Sequence, residues 1–234
     1  MYEQIEPIRL YEVVVERLQD LVVDGQLNPG DRLPSELDLA KKFGVSRTAI
    51  REAIGALVEQ GIVVVRPGSG TYVNRTDGRP LQRTLSWLAR IQGPAGDSYL
   101  AELRQLLEPG VCALAAERAT DEQISQMASA LKAAIHSKNH AEEFIEADLR
   151  FHRLLAEASQ NPLVGALLDS IGDLLRTQRI RYFIASGGTD NTENHHRNIL
   201  NLVSQRRPEE AYHAMEAHLR QVIRDAEREK PPCN

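Results

Sequence analysis

Cysteine is almost missing from this chain: two residues, Cys112 and Cys233, in 234. A disulfide framework or a thiolate zinc site cannot be built from that, and a reducing cytoplasm is the expected setting. Cys112 lies in an Ala/Leu-rich stretch and reads as a small core residue, while Cys233 follows two prolines near the C-terminus. Aromatic residues are scarce, at 5%, which argues against extensive sheet. No apolar run approaches the ~20 residues of a membrane span. The first ten residues hold two glutamates and no apolar stretch of the kind a secretion signal needs. No membrane partner is expected. Internal repeats and low-complexity tracts are lacking as well.

What is present is ordinary globular material, 42% hydrophobic and 26% charged, rich in Ala, Leu, Glu and Arg. That mix favours helix. The formal net charge of −5 does not suggest a nucleic-acid binder, but a whole-chain sum can hide a local basic module.

The pattern along the chain divides in two. Ile8, Tyr11, Val14, Val15, Leu18, Leu21 and Val22 form one apolar stripe, predicting a helix from about Pro7 to Gly25. Asn28-Pro29-Gly30-Asp31 is a turn. Ser35 caps a short second helix, with Asp38 in a capping-box-like position, and Phe43-Gly44 ends it. Ser46 caps a third helix that runs to Gln60 and stops at Gly61. A β-branched run, Ile62 to Arg66, then a turn at Pro67-Gly68-Ser69-Gly70, then Thr71-Tyr72-Val73 make a hairpin. Three helices and a hairpin within residues 1–75 are the order of a winged helix-turn-helix. Residues 76–80 read as a linker. Residues 81–230 read as an all-α helical bundle, with helices near Leu81–Ala89, Ser98–Arg118, Asp121–Ser137, Ala141–Ser159, Pro162–Ser186, Asp190–Ser204 and Pro208–Glu229. The fold class is mainly α.

A recognition helix must offer polar and basic side chains at its N-terminal end, where it meets base edges in the major groove. Arg47 and Thr48 stand in the first turn of the third helix, and Arg51 follows Arg47 at i+4 on the same face. Ile50, Ile54, Leu57 and Val58 are expected to turn into the core. Ser46 can cap the helix and touch a phosphate. From Arg32 to Arg75, seven Lys and Arg stand against four Asp and Glu, a surplus of three positive charges on an acidic body. Taken alone, either arginine reads sooner as a solvated surface residue. Together with the cap, the turn and the glycine-rich wing, they point to double-stranded operator DNA. The contact set is Ser35, Ser46, Arg47, Thr48, Arg51 and, at the wing, Gly68.

Several motifs in register here resemble one known module: Leu33-Pro34-Ser35-Glu36, Gly44-Val45-Ser46-Arg47-Thr48, Arg51-Glu52-Ala53, Gly61-Ile62, and Arg66 through Val73. Together they are similar to the DNA-binding module of GntR-type regulators over about residues 7–73. One departure is Leu37, where many members of that family carry an arginine that approaches DNA.

In the second part, Asp148 and His152 are four apart and share a helix face, and His196 and His218 fall on two later helices. Three imidazoles and a carboxylate from three helices can converge in a bundle core and hold a divalent metal ion of the Zn, Ni or Mn class. Spacing alone fits equally a surface Asp–His pair and two unrelated histidines. Arg104, in a helix with Leu100, Leu103, Leu107 and Val111, has two readings as well: a partner for a ligand's carboxylate, or an i+4 salt bridge to Glu108.

A second resemblance bears on these choices. Asp148-Leu149-Arg150-Phe151-His152, Asn161-Pro162-Leu163, His196-Arg197-Asn198-Ile199, Ala214 through Leu219, and Glu102 through Glu108 followed by Ala115-Ala116 resemble the FCD ligand-binding domain of the FadR branch of the GntR family, over about residues 81–225. That likeness implies that Asp148, His152, His196 and His218 are metal ligands and that Arg104 grips an acid ligand. It leaves His136, His140, His195 and His213 without a role. It also implies a homodimer on a palindromic operator, a small carboxylate effector that shifts the bundle, and, by default, a repressor. Three rivals are a metal sensor in which the ion is the signal, a metal-dependent hydrolase fused to a DNA reader, and an acyl-chain sensor without metal. No nucleophile motif supports an enzyme.

Overall fold

The computed structural model describes residues 9–74, 79–186 and 190–228. Its contacts part the chain between Pro80 and Leu81 into two compact units.

The first unit holds α1 (Leu10–Val23), α2 (Glu36–Phe43), α3 (Arg47–Glu59), β1 (Val63–Arg66) and β2 (Gly70–Val73). Pro7 and Ile8, expected to open α1, lie outside the described residues, as do 76–78 of the expected linker. Both later helices begin where a serine satisfies a free backbone N–H. Ser35 Oγ accepts from Asp38 N at 3.2 Å, and Ser46 Oγ accepts from Ala49 N at 3.1 Å. α2 ends on Gly44, whose φ of 68° is left-handed and releases the chain into the turn before α3. The strands pair antiparallel, with Val63 opposite Val73 and Arg66 opposite Gly70. Val14, Leu18, Leu39, Ile50, Leu57, Val63 and Val73 fill one core. Each large aliphatic side chain buried there contributes about 1.5–3 kcal/mol. This is the winged helix-turn-helix that the sequence predicts.

The second unit is helical throughout its described residues: α4 (Arg79–Ile91), a 3₁₀ turn at Gly93–Ala95, α5 (Gly96–Arg118), α6 (Asp121–His136), α7 (Ala141–Ala158), α8 (Pro162–Ser186), α9 (Asp190–Ser204) and α10 (Pro208–Arg228). α4 starts at Arg79, inside the stretch read as linker, because proline is tolerated in a helix's first turn, where its missing N–H would have no partner. Thr120 and Gln123 close a reciprocal capping box that starts α6. α5 packs against α7, α8, α9 and α10, and α7 against α6 and α8. Phe151, Met127, Leu155, Ile199, Val203 and Met215 are fully buried in the main core. Among the described residues, no helix is long and apolar enough to cross a membrane.

Candidate functional site

The N-terminal end of α3 presents Arg47, Thr48 and Arg51 to solvent, while Ala49, Ile50, Ala53, Ile54 and Leu57 are buried on its other side. Val58 departs from expectation and is exposed. It follows Arg51 by seven residues, two helical turns, and so falls on the arginine stripe instead of the core stripe. Arg51 Nη2 lies 3.1 Å from Glu36 Oε2 at the start of α2. Arg51 is exposed and Glu36 only half-buried, so this pair is weak, and the guanidinium can exchange a carboxylate for a phosphate or a base edge. Ser35 and Ser46 are spent on capping through Oγ, yet both stay at the surface. Gly68 sits exposed at the wing tip with φ 72°. At the wing's root the Arg66 guanidinium stacks 4.6 Å over the Tyr72 ring, and Tyr72 Oη lies 2.6 Å from Ser69 Oγ. Leu37, at the position where a DNA-facing arginine is common, is exposed.

In the second unit α7, α9 and α10 bring His152, His196 and His218 together in the interior, their ligand atoms all within 4.8 Å of one another. His196 Nε2 and His218 Nε2 are 3.2 Å apart. Asp148 Oδ1 stands 3.6 Å from His196 Nε2 and 3.9 Å from His152 Nε2. Donors held about 2.0–2.1 Å from a small divalent ion lie roughly 3–3.5 Å apart, so this spacing fits one with little adjustment. Among the described residues, the buried His152 Nε2 and His218 Nδ1 have no hydrogen-bond partner. An orphaned imidazole nitrogen in a dry interior is costly, and a cation bound at the cluster would satisfy His152 Nε2.

The electrostatics favour the forms a metal needs. Burial, then the neighbouring His152, drives His196 well below the usual histidine range. Burial, then His196, does the same for His218. Both are neutral near pH 7, and neutral imidazole is the ligating form. Burial raises the Asp148 carboxyl, opposed by His152 and Arg104. Phe151 stacks on His196 with ring centroids 4.5 Å apart and fixes the imidazole's plane.

Around this cluster lies an arginine–carboxylate lattice. Arg104 donates to Glu108 through Nε and, at 3.1 Å, through Nη2, and both side chains are buried. Of the two readings of Arg104, the ion pair is the one the structure displays. Burial alone would raise Glu108, but Arg104, then His152, outweigh it and hold the carboxyl at about 2. Glu108 Oε2 in turn lies 2.8 Å from His152 Nδ1. Arg179 of α8 donates to Asp148 Oδ2, and Arg153 Nε donates to Asp169 at 2.8 Å. A cavity of about 20 Å³ opens beside the histidines, lined in part by Arg104, Glu108, His152, Asp169, Asp173 and Arg179.

Residues 10–73 match the family described as bacterial regulatory proteins, gntR family, and residues 99–221 match the FCD domain. The chain belongs to the GntR family. Curated GntR relatives include the HTH-type transcriptional repressor NanR of Klebsiella aerogenes, 34% identical over 224 residues, covering 92% of this chain and 84% of that one. The HTH-type transcriptional regulator LutR of Bacillus subtilis is 35% identical over 207 residues, covering 86% and 94%. A solved GntR structure from Streptococcus agalactiae superposes with a TM-score of 0.71 at 30% identity, over 92% of this chain and 99% of that one. This GntR chain is therefore a DNA-binding transcriptional regulator, and its role is regulatory, not catalytic.

Two residues of the GntR regulator's site escape sequence reasoning. Glu108 enters there only as a partner that would neutralise Arg104, whereas it also touches His152. Arg179 carries no motif and lies 31 residues from the carboxylate it holds. A lone arginine late in a long helix offers no periodic signal. Of the remaining histidines, His136, His140 and His213 are exposed, and His195 is half-buried with its ring 5.7 Å from that of His218.

Proposed function

We propose that this regulator, which carries an FCD domain, belongs to the FadR branch. It senses a small organic acid at a divalent metal centre held by Asp148, His152, His196 and His218, and the acid controls operator binding. The observation that carries this reading is the buried convergence of three imidazoles, two of them neutral at pH 7, with His152 Nε2 unpartnered beside Asp148. A bound ion of the Zn, Ni or Mn class supplies a Lewis-acidic point for carboxylate oxygens.

The protein's own residues supply the rest. Three guanidiniums (Arg104, Arg153, Arg179) stand against four carboxylates (Glu108, Asp148, Asp169, Asp173) around the cavity. That leaves one negative charge without an ion and one positive charge with a divalent one, which suits an anionic effector. Arg104 meets the acid from one side while exchanging part of its hold on Glu108. A cavity of about 20 Å³ takes a single water-sized group, so an acid must part α7 from α8 to enter. That parting is the differential contact through which a ligand favours one arrangement over another.

At the other end, α3 reads the major groove with Arg47, Thr48 and Arg51. Ser35 and Ser46 stand by the phosphates, and the wing around Gly68 lies in the adjoining groove. A homodimer matches a palindromic operator. The resting state is repression, relieved by the acid, in the cytoplasm where the operator is found.

Elemental analysis with native mass spectrometry tests the reading. The expected result is a dimer with about one divalent ion per chain. A protein that stays metal-free after reconstitution would overturn the metal centre and favour an acyl-chain sensor. Operator release by added metal alone would make the ion itself the signal.

A further inference from the structure

Asp148 faces two ways. Its Oδ1 looks toward His196 and His152, at 3.6 and 3.9 Å, while its Oδ2 is engaged by Arg179 from the neighbouring helix. The carboxylate is buried, and so is most of the arginine. Arg104 is committed to Glu108, and Arg153 to Asp169. Among the described residues, Arg179 is the guanidinium in contact with Asp148.

We infer that Arg179 is the positioning residue of the metal centre: by gripping Asp148 through Oδ2 it aims Oδ1 at the histidines and restricts Asp148 to one-oxygen ligation. This rests on the metal reading above. The guanidinium suits the task better than an ammonium would, since its planar fork holds a carboxylate in one orientation. It also carries the neighbouring helix into the site. Arg179 is on α8, which donates no histidine to the cluster, so movement of α8 reaches the centre through this ion pair as well as through its packing on α7. The same helix supplies Asp169 and Asp173 to the cavity wall. An acid that displaces α8 thereby changes the aim of a ligand on α7. Partners that orient a metal ligand from outside typically account for about 10- to 100-fold in metal affinity.

The experiment compares the full-length protein with Arg179→Met and Arg179→Lys. Each is stripped and titrated with Co²⁺, reading both the visible ligand-field spectrum and the affinity by chelator competition. Circular dichroism confirms that each variant is folded. Arg179→Met should bind Co²⁺ about 10- to 100-fold more weakly and with altered band position and intensity, as Asp148 turns or lets both oxygens reach the ion. Arg179→Lys, which restores charge without the fork, should recover part of the affinity and less of the spectrum. Wild-type spectrum and affinity in Arg179→Met overturn the inference. So does weaker binding with an unchanged spectrum in both variants, which would mark general loosening of the bundle. If the wild-type protein takes up no Co²⁺, the metal reading itself has failed, which is a different result from a metal-loaded wild type with indifferent variants.

Discussion

His196 and His218 point their Nε2 atoms at each other across 3.2 Å in the buried centre of the C-terminal unit. Two neutral imidazoles can satisfy that approach with one shared proton, or with none if both lone pairs serve a cation. Removing both rings distinguishes the cases. His196→Ala with His218→Ala should abolish stoichiometric divalent metal and the response of operator binding to acid. Metal content equal to wild type by elemental analysis would show that the ligands lie elsewhere.

The pH dependence of the metal-free protein follows from the same pair. Both histidines have folded-state values well below 6.5. Below that pH the unfolded chain therefore binds protons that the folded chain refuses, and stability falls as pH drops. Glu108 acts in a separate window. Its carboxyl is lowered from 4.5 to about 2, so its contribution is intact above 4.5 and is lost as pH falls through about 2. Urea midpoints should decline between about pH 7 and pH 5, above the Glu108 window, less the offset from proton uptake by the raised Asp148 and Asp173 carboxyls. A flat profile over that interval would contradict the buried neutral histidines.

The Arg104–Glu108 pair should behave as a unit. Glu108→Gln leaves a buried guanidinium without its counter-charge and should cost about 3–5 kcal/mol. The double change Arg104→Met, Glu108→Leu removes both charges and should cost less than Arg104→Met alone or Glu108→Leu alone. Denaturant unfolding of the three variants measures the coupling, and simple additivity would refute it. In Glu108→Gln, metal affinity should fall as well, because His152 loses the carboxylate at its Nδ1.

Operator recognition rests on the first two turns of α3. Arg47→Ala and Arg51→Ala should each weaken binding to a defined operator by roughly tenfold or more, with circular dichroism unchanged because both side chains are exposed. The Arg51–Glu36 contact is solvent-facing, so its loss should leave the melting temperature within experimental scatter. Undiminished operator affinity would move the reading element away from α3.

Much of this architecture is legible in the sequence because its helices are marked by local chemistry. Ser35, Ser46, Gly44 and Gly61 announce the ends of α2 and α3, and Pro162 and Pro208 begin α8 and α10. Such signals need only a few neighbouring residues. Asp148, His152, His196 and His218 could be singled out by spacing and by resemblance, and the bundle does gather them. What could not be read was pairing at a distance. That Glu108 meets His152, or that Arg179 reaches Asp148, depends on how α5, α7 and α8 are rotated about their axes. No local pattern records that rotation. Val58 and the start of α4 were misplaced for smaller reasons: a hydrophobic residue on the wrong stripe, and a proline that opens a helix instead of preventing one.

Cys112 lies one helical turn along α5 from Glu108, completely enclosed. Burial, reinforced by the Glu108 charge, pushes its thiol up to about 12. Thiolate sulfur is both the softest donor a protein owns and its readiest electron source toward peroxide. Held as a protonated, sealed thiol, this sulfur neither competes with nitrogen and oxygen donors for a borderline cation nor enters the oxidation ladder. Cys112 therefore stays a packing residue, whatever the thiol–disulfide balance around it.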